Sequence, residues 1–200
     1  MTRRHPAAAG FTLIELLIVL AIMGVLVGIV LPDSTPAIDE QLRLAADVLK
    51  TDLAYARSLA ITSDSTYRIA FDEEENRYVL THTGSNPALD RLPDSPFRAA
   101  DDPPDQHIVD FDELPQVTAG VRFVTAAAFN LFLYPVADVE YGSLGEPSRG
   151  GYTVIWLAAG EGDDTKYVYL LVYPVTGMVE VGDTTTVAPP EWLVEASTGF

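Results

Sequence analysis

From Phe11 to Leu31 the chain is made of Leu, Ile, Val, Ala, Met and Gly, broken after Phe11 only by Thr12 and Glu15. These 21 residues predict a helix of roughly 31 Å at about 1.5 Å per residue, one hydrocarbon thickness. Glu15 falls in its first turn. An acid costs about 2.5–3.5 kcal/mol at mid-bilayer and less near the interface. Keeping one here implies a partner for it. Pro32 closes the run and Pro36 follows, and either can kink a helix by removing a backbone donor. From Ile38 the pattern becomes striped: Ile38, Leu42, Ala45, Leu49, Leu53, Ala56 and Ala60 recur at steps of four and three. Arg43, Asp47, Lys50, Asp52 and Arg57 fall between them, on the predicted wet side, with Arg43 and Asp47 one turn apart. The second half of the stem, residues 32–62, is therefore predicted to lie with one face on a sheet.

Strand patterning follows. Tyr67–Phe71 and Arg77–Thr83 flank the polar Asp72–Asn76, which predicts a β-hairpin. Gly84–Pro115 holds six prolines and many aspartates and predicts an irregular surface excursion or partner-binding loop. Val117–Phe123 and Ala128–Tyr134 read as short strands. Tyr152–Ala158, a Gly160–Thr165 loop and Lys166–Tyr173 make a strand, loop and strand. Pro174–Gly177 supplies a turn before a short return strand, Met178–Val181. The residues after Gly182 read as a mobile tail that Trp192, Leu193 and Phe200 could dock. The fold class expected is α+β: a long amino-terminal helix packed on an antiparallel β-sheet head.

Charge narrows the function. The formal charge is −17, and ten basic against 28 acidic residues after Leu31 leave that part at −18. Such a surface repels phosphate backbones and anionic headgroups, so nucleic acid is an unfavourable partner. With no cysteine there are no disulfides, thiol chemistry or cysteine-ligated metal. Arg3 and Arg4 keep the short amino-terminal side cytoplasmic and put residues 63–200 outside.

Ten residues, Met1 to Gly10, precede the apolar run; a secretory signal peptide would be cut after that run, where no Ala-x-Ala site follows Leu31. A basic leader, Gly10-Phe11-Thr12-Leu13-Ile14-Glu15 and an unbroken apolar helix together resemble the class III signal of type IV prepilins and pseudopilins. The resemblance implies a type IV pilin-like fold and a leader, residues 1–10, cut by a prepilin peptidase between Gly10 and Phe11. It implies N-methylation of Phe11, and pairing of Glu15 with the Phe11 ammonium of a neighbouring subunit. Pairing recovers much of the several kcal/mol that each buried ion would cost alone. The anchor, residues 11–31, would then sit in the bacterial inner membrane as a single pass. Its partners would be other pseudopilins or pilins and an inner-membrane assembly platform.

Leu49-x-x-x-Leu53-x-x-Ala56-Arg57-Ser58-x-Ala60-Ile61, the early hairpin and the closing strand–Pro-x-Thr-Gly–strand unit narrow the resemblance. They are similar to the H-type minor pseudopilins of type II secretion and related minor pilins (GspH/FimT-like). The function implied is that of a filament subunit driving protein export. The alternative is a minor type IV pilin in pilus assembly or DNA uptake, which would need a basic patch. Only Arg149 and Lys166 follow Arg122.

Candidate chemistry is sparse. His107 stands near Asp105, Asp110 and Asp112 with no second histidine, and reads as part of a solvated acidic loop. His82 reads as a surface residue. Glu73–Glu75 read as a solvated turn. Gly160–Asp164 could hold Ca²⁺ but reads better as an ion-free hairpin loop. Gly142–Gly145 lacks the Gly-x-Ser-x-Gly spacing of a nucleophile elbow. No catalytic residue, metal site or cofactor is expected, and the chain does not read as an enzyme.

Overall fold

The computed structural model describes residues 13–30, 37–93, 102–115 and 117–197, with side-chain surroundings for all of these except 24–30 and 197. Two compact units divide the chain, 1–35 and 36–200.

The described part of the first unit is α1 (Leu13–Val30). It holds 18 residues of the predicted run, about 27 Å of helix; Phe11, Thr12 and Leu31 lie outside the described residues. Among the described residues no helix is long and apolar enough to cross a membrane. The predicted kink at Pro32 and Pro36 also lies outside them.

The second unit is built on α2 (Ile38–Ser63). Leu42, Ala45, Ala46, Leu49, Leu53, Ala56 and Ala60 are fully buried along one stripe. Four alanines in that stripe let strands approach the helix axis closely, while the leucines fill the space between. The helix ends at Asp64, whose left-handed φ of 47° turns the chain out, as Ser65 N–H donates to Ala60 O at 3.1 Å.

Two antiparallel sheets, rather than one, meet this helix. The first runs β3 (Gln106–Asp110), β2 (Arg77–His82), β1 (Tyr67–Asp72) and β6 (Asp138–Tyr141). The second runs β5 (Leu133–Pro135), β4 (Arg122–Phe129), β7 (Tyr152–Ala159), β8 (Lys166–Val172) and β9 (Val179–Val181). α2 lies against β1 and β6 of the first and β7, β8 and β9 of the second. Alternate residues of each sheet face it: Tyr67, Ile69 and Leu80 from one, Ile155, Val168 and Leu170 from the other. Phe71 of β1 stacks on Phe123 of β4 with centroids 4.8 Å apart, which joins the sheets where the helix does not.

The hairpin occupies its predicted place, with Tyr67 opposite His82 and Asp72 opposite Arg77. Three predicted segments differ. Gly84–Pro115 contains β3, which pairs with β2 from Gln106 to Asp110; prolines on its amino-terminal side masked a five-residue strand. Strands predicted at Val117–Phe123 and Ala128–Tyr134 are instead β4 and β5, because Gly120, at φ +62°, turns the chain first. Asn76 then sets where pairing starts: its Nδ2 donates to Val121 O at 2.9 Å, and Phe123 N–H donates to its Oδ1 at 3.0 Å.

The third difference is the tail. Thr185 exchanges backbone hydrogen bonds with Tyr167 at 2.7 and 2.8 Å, and α3 (Glu191–Ser197) lies against β4 and β5. Leu193 is buried, Trp192 is exposed, and Phe200 lies outside the described residues. Thr125 and Ala127, which alternate with the core residues Ala126 and Ala128, are fully buried as well. Small side chains on β4 suit a strand covered on both faces.

Candidate functional site

The predicted cleavage and methylation residues, Gly10 and Phe11, lie outside the described residues, and the predicted assembly residue Glu15 is placed in the first turn of α1. Negative charge is favoured there by the unpaired N–H groups at a helix start. Around it, every large apolar side chain from Leu13 to Met23 is at least 45% exposed. Apolar residues occupy all sides of the helix, so no orientation against a single surface could cover them. Each such side chain stands to gain about 1.5–3 kcal/mol on full burial. α1 is therefore a helix whose covering partner lies beyond the first unit's own described residues.

Three of the head's polar contacts at α2 and just past its end bear on predicted positions. Near its middle, the Tyr78 hydroxyl donates to Asp52 Oδ2 at 2.5 Å, and His107 Nε2 lies 3.6 Å from the same oxygen. His107 is buried on β3 rather than solvated in an acidic loop; pairing of β3 with β2 turns it inward. Burial first, then the Asp52 charge and hydrogen bond, push the Tyr78 hydroxyl well above its ordinary value. A turn further on, Arg57 Nε donates to Gly145 O at 3.0 Å. Gly177, at φ +64°, abuts the same carbonyl: a Cβ there would lie 2.3 Å from Gly145 O and 3.1 Å from Arg57 Cδ. Asp52 and Arg57 thus turn from the predicted wet side towards the sheets. The late-helix pattern and the Pro-x-Thr-Gly turn meet at this point.

The third contact lies just past the helix end. His82 Nε2 is 2.7 Å from Ser65 Oγ, and its Nδ1 is 2.7 Å from Asp90 Oδ1. The His82 side chain is fully buried, contrary to the surface position predicted, and tilts against the Tyr67 ring at 5.0 Å between centroids. Burial follows from register: with Tyr67 opposite His82, Ser65 and Gly84 continue the same face.

Four cations on the head face acids. Arg149 bonds Asp138, Lys166 bonds Asp39 at 2.5 Å, Arg43 bonds Asp183 at 3.2 Å, and Arg77 bonds Asp72 at 3.3 Å. They do not form an open basic surface for a phosphate backbone. The Lys166 contact, above all, holds Asp39 below the usual carboxylate range. Among the described residues no cluster of His, Asp and Glu has the arrangement of a metal site. In the Gly160–Asp164 loop, Arg122 Nη1 occupies the Gly160 carbonyl at 3.1 Å. Glu75 N–H bonds Asp72 Oδ1 at 3.1 Å within the hairpin turn.

Residues 6–31 match the prokaryotic N-terminal methylation motif. No curated protein matches the chain. The minor pseudopilin EpsH from the type II secretion system of Vibrio cholerae is similar in structure, with 11% identity and a TM-score of 0.50, over 78% of this chain and 99% of that one. The type IV minor pilin FimU of Pseudomonas aeruginosa (strain PAO1) is similar at 15% identity and a TM-score of 0.45, over 76% of this chain and 94% of that one. The chain thus carries a prokaryotic N-terminal methylation motif that runs into its first helix, and an α+β fold similar to that of the minor pseudopilin.

Proposed function

We propose that this chain is a minor pseudopilin of a type II secretion pseudopilus. A prepilin peptidase removes residues 1–10 at Gly10–Phe11 and the new Phe11 amine is methylated. α1 then waits in the inner membrane with the head outside. On assembly it leaves lipid for the stems of neighbouring subunits. Lipid and protein are both apolar, so this exchange gains little from burial alone. The pairing of Glu15 with a neighbour's Phe11 ammonium would supply register rather than bulk affinity.

The observation that carries this reading is α1 itself: apolar on every side, exposed, with one acid in its first turn, beneath a methylation motif. The four acid-paired cations of the head and its net negative charge support export over capture of DNA. Glu15→Val tests the assembly role. The variant should be processed like the wild type yet fail to co-purify with filaments. Wild-type incorporation would remove the pairing.

A further inference from the structure

Ser65, His82 and Asp90 form a relay that a filament subunit does not require. A carboxylate accepts but does not donate, so the 2.7 Å contact to Asp90 Oδ1 makes His82 Nδ1 the protonated nitrogen. Nε2 is then free to accept, and the Ser65 hydroxyl donates to it at 2.7 Å. That is the arrangement of nucleophile, base and orienting acid, which is recognised by geometry rather than by sequence order. The imidazole is fixed on its other sides: its side chain is fully buried and meets Tyr67. Ser65 itself is partly exposed. Gly84 makes the approach possible, since a Cβ there would sit 2.1 Å from Ser65 Oγ and 2.6 Å from His82 Nε2.

We propose that Ser65 is an activated nucleophile that takes acyl or phosphonyl groups from reactive esters and phosphonates. Ser65 Oγ attacks the carbonyl carbon as its proton passes to His82 Nε2. The new C–O bond forms, the ester C–O bond breaks, and the departing alcohol takes the proton from Nε2. Water, deprotonated by the same nitrogen, then releases the acid and restores Ser65. Asp90 acts through His82 as a positioning residue.

The position also sets the substrate class. Ser65 follows the carboxyl end of α2, where the helix carries partial negative charge. That field opposes an oxyanion. The site therefore suits substrates with good leaving groups, such as aryl esters, and not amides. Covalent capture is its most direct readout.

The full chain in detergent is treated with an alkyl fluorophosphonate and followed by intact and peptide mass. Serine capture forms a P–O bond, breaks P–F and releases HF. One adduct on Ser65 is expected. It should vanish in Ser65→Ala and slow by roughly 100-fold in His82→Gln, the lower end of general-base contributions. Asp90→Asn should slow it by less than His82→Gln does, since that carboxylate is half exposed. It should also change the dependence of labelling rate on pH, which a merely structural role would not do. Gly84→Ala removes no functional group but intrudes on the Ser65–His82 contact, and should reduce labelling with the melting temperature held within a few degrees. Absence of an adduct on Ser65, or equal labelling rates for wild type and His82→Gln, would overturn the proposal. Should His82→Gln fail to fold, Asp90→Asn and Gly84→Ala decide: unchanged rates in both would also overturn it.

Discussion

α1 and α2 are two helices of one chain with opposite relations to their surroundings. α2 buries one stripe against two sheets and shows Arg43, Asp47 and Lys50 to water. From Leu13 to Met23 α1 has no stripe: apolar residues are exposed on every side, with Glu15 in the first turn. The stability of α2 is written in the chain that folds around it. Nothing among the described residues of its own unit covers α1. Under the proposed assembly, α1 moves between lipid and protein and has to be apolar all round, since either environment touches every side. A helix with one fixed partner does not.

The largest effect should separate the two directly. Leu53→Ala, in the buried stripe of α2, should cost the head about 2–5 kcal/mol and lower its melting temperature by several degrees or more. Leu17→Ala on α1 should leave that transition unchanged, because Leu17 is more than half exposed. Equal destabilisation by both would mean that α1 is part of the head's core and would break the distinction.

A smaller effect comes from the buried tyrosines behind α2. Burial, then Asp52, raise Tyr78, and burial also raises Tyr141. A folded-state value above the unfolded one means this contribution is complete below about pH 10 and is lost as pH rises from the ordinary tyrosine value through the raised folded one. Tyr78→Phe should cost about 1–2 kcal/mol at neutral pH, for the hydrogen bond lost to Asp52. It should also flatten part of the alkaline fall in a denaturant series. An alkaline slope identical to wild type would remove Tyr78 as a source.

The smallest effect sits at the start of α2. Asp39 is held below its usual value by Lys166, so the pair's contribution is present above the ordinary carboxylate value of 3.8 and is lost as pH falls through the lower folded value. The pair is partly exposed and screened, worth less than about 1 kcal/mol. Asp39→Asn should reduce stability slightly at neutral pH and match the wild type in strong acid. A difference that persists there would point to packing rather than charge.

Helix positions and the hairpin were legible because periodicity reports which face is buried. Apolar residues repeat at 3.6 in α2 and at 2 in β1 and β2, whatever they pack against. The second sheet was not legible, since strand patterns do not name their neighbours. β4 was hidden by Ala126–Ala128, whose small size answers to cover on both faces and not to strand propensity. The turned-in Asp52, Arg57 and His107 show the same limit. A charged residue reads as wet until a distant chain segment gives it Tyr78 or Gly145. His82 could have been placed from the hairpin register, which sets it on one face with Ser65. Asp90 could not, because it lies in an irregular stretch with no period. The place of Glu15 in the first turn of α1 was legible because the apolar run begins just ahead of it.

The central claim is that this chain becomes functional by losing its leader and presenting α1 to other stems. Intact mass of protein extracted from the membranes of its native host tests this most directly. The account predicts a chain that starts at Phe11 and carries one added methyl group. A chain that still carries Met1 to Gly10 would contradict it.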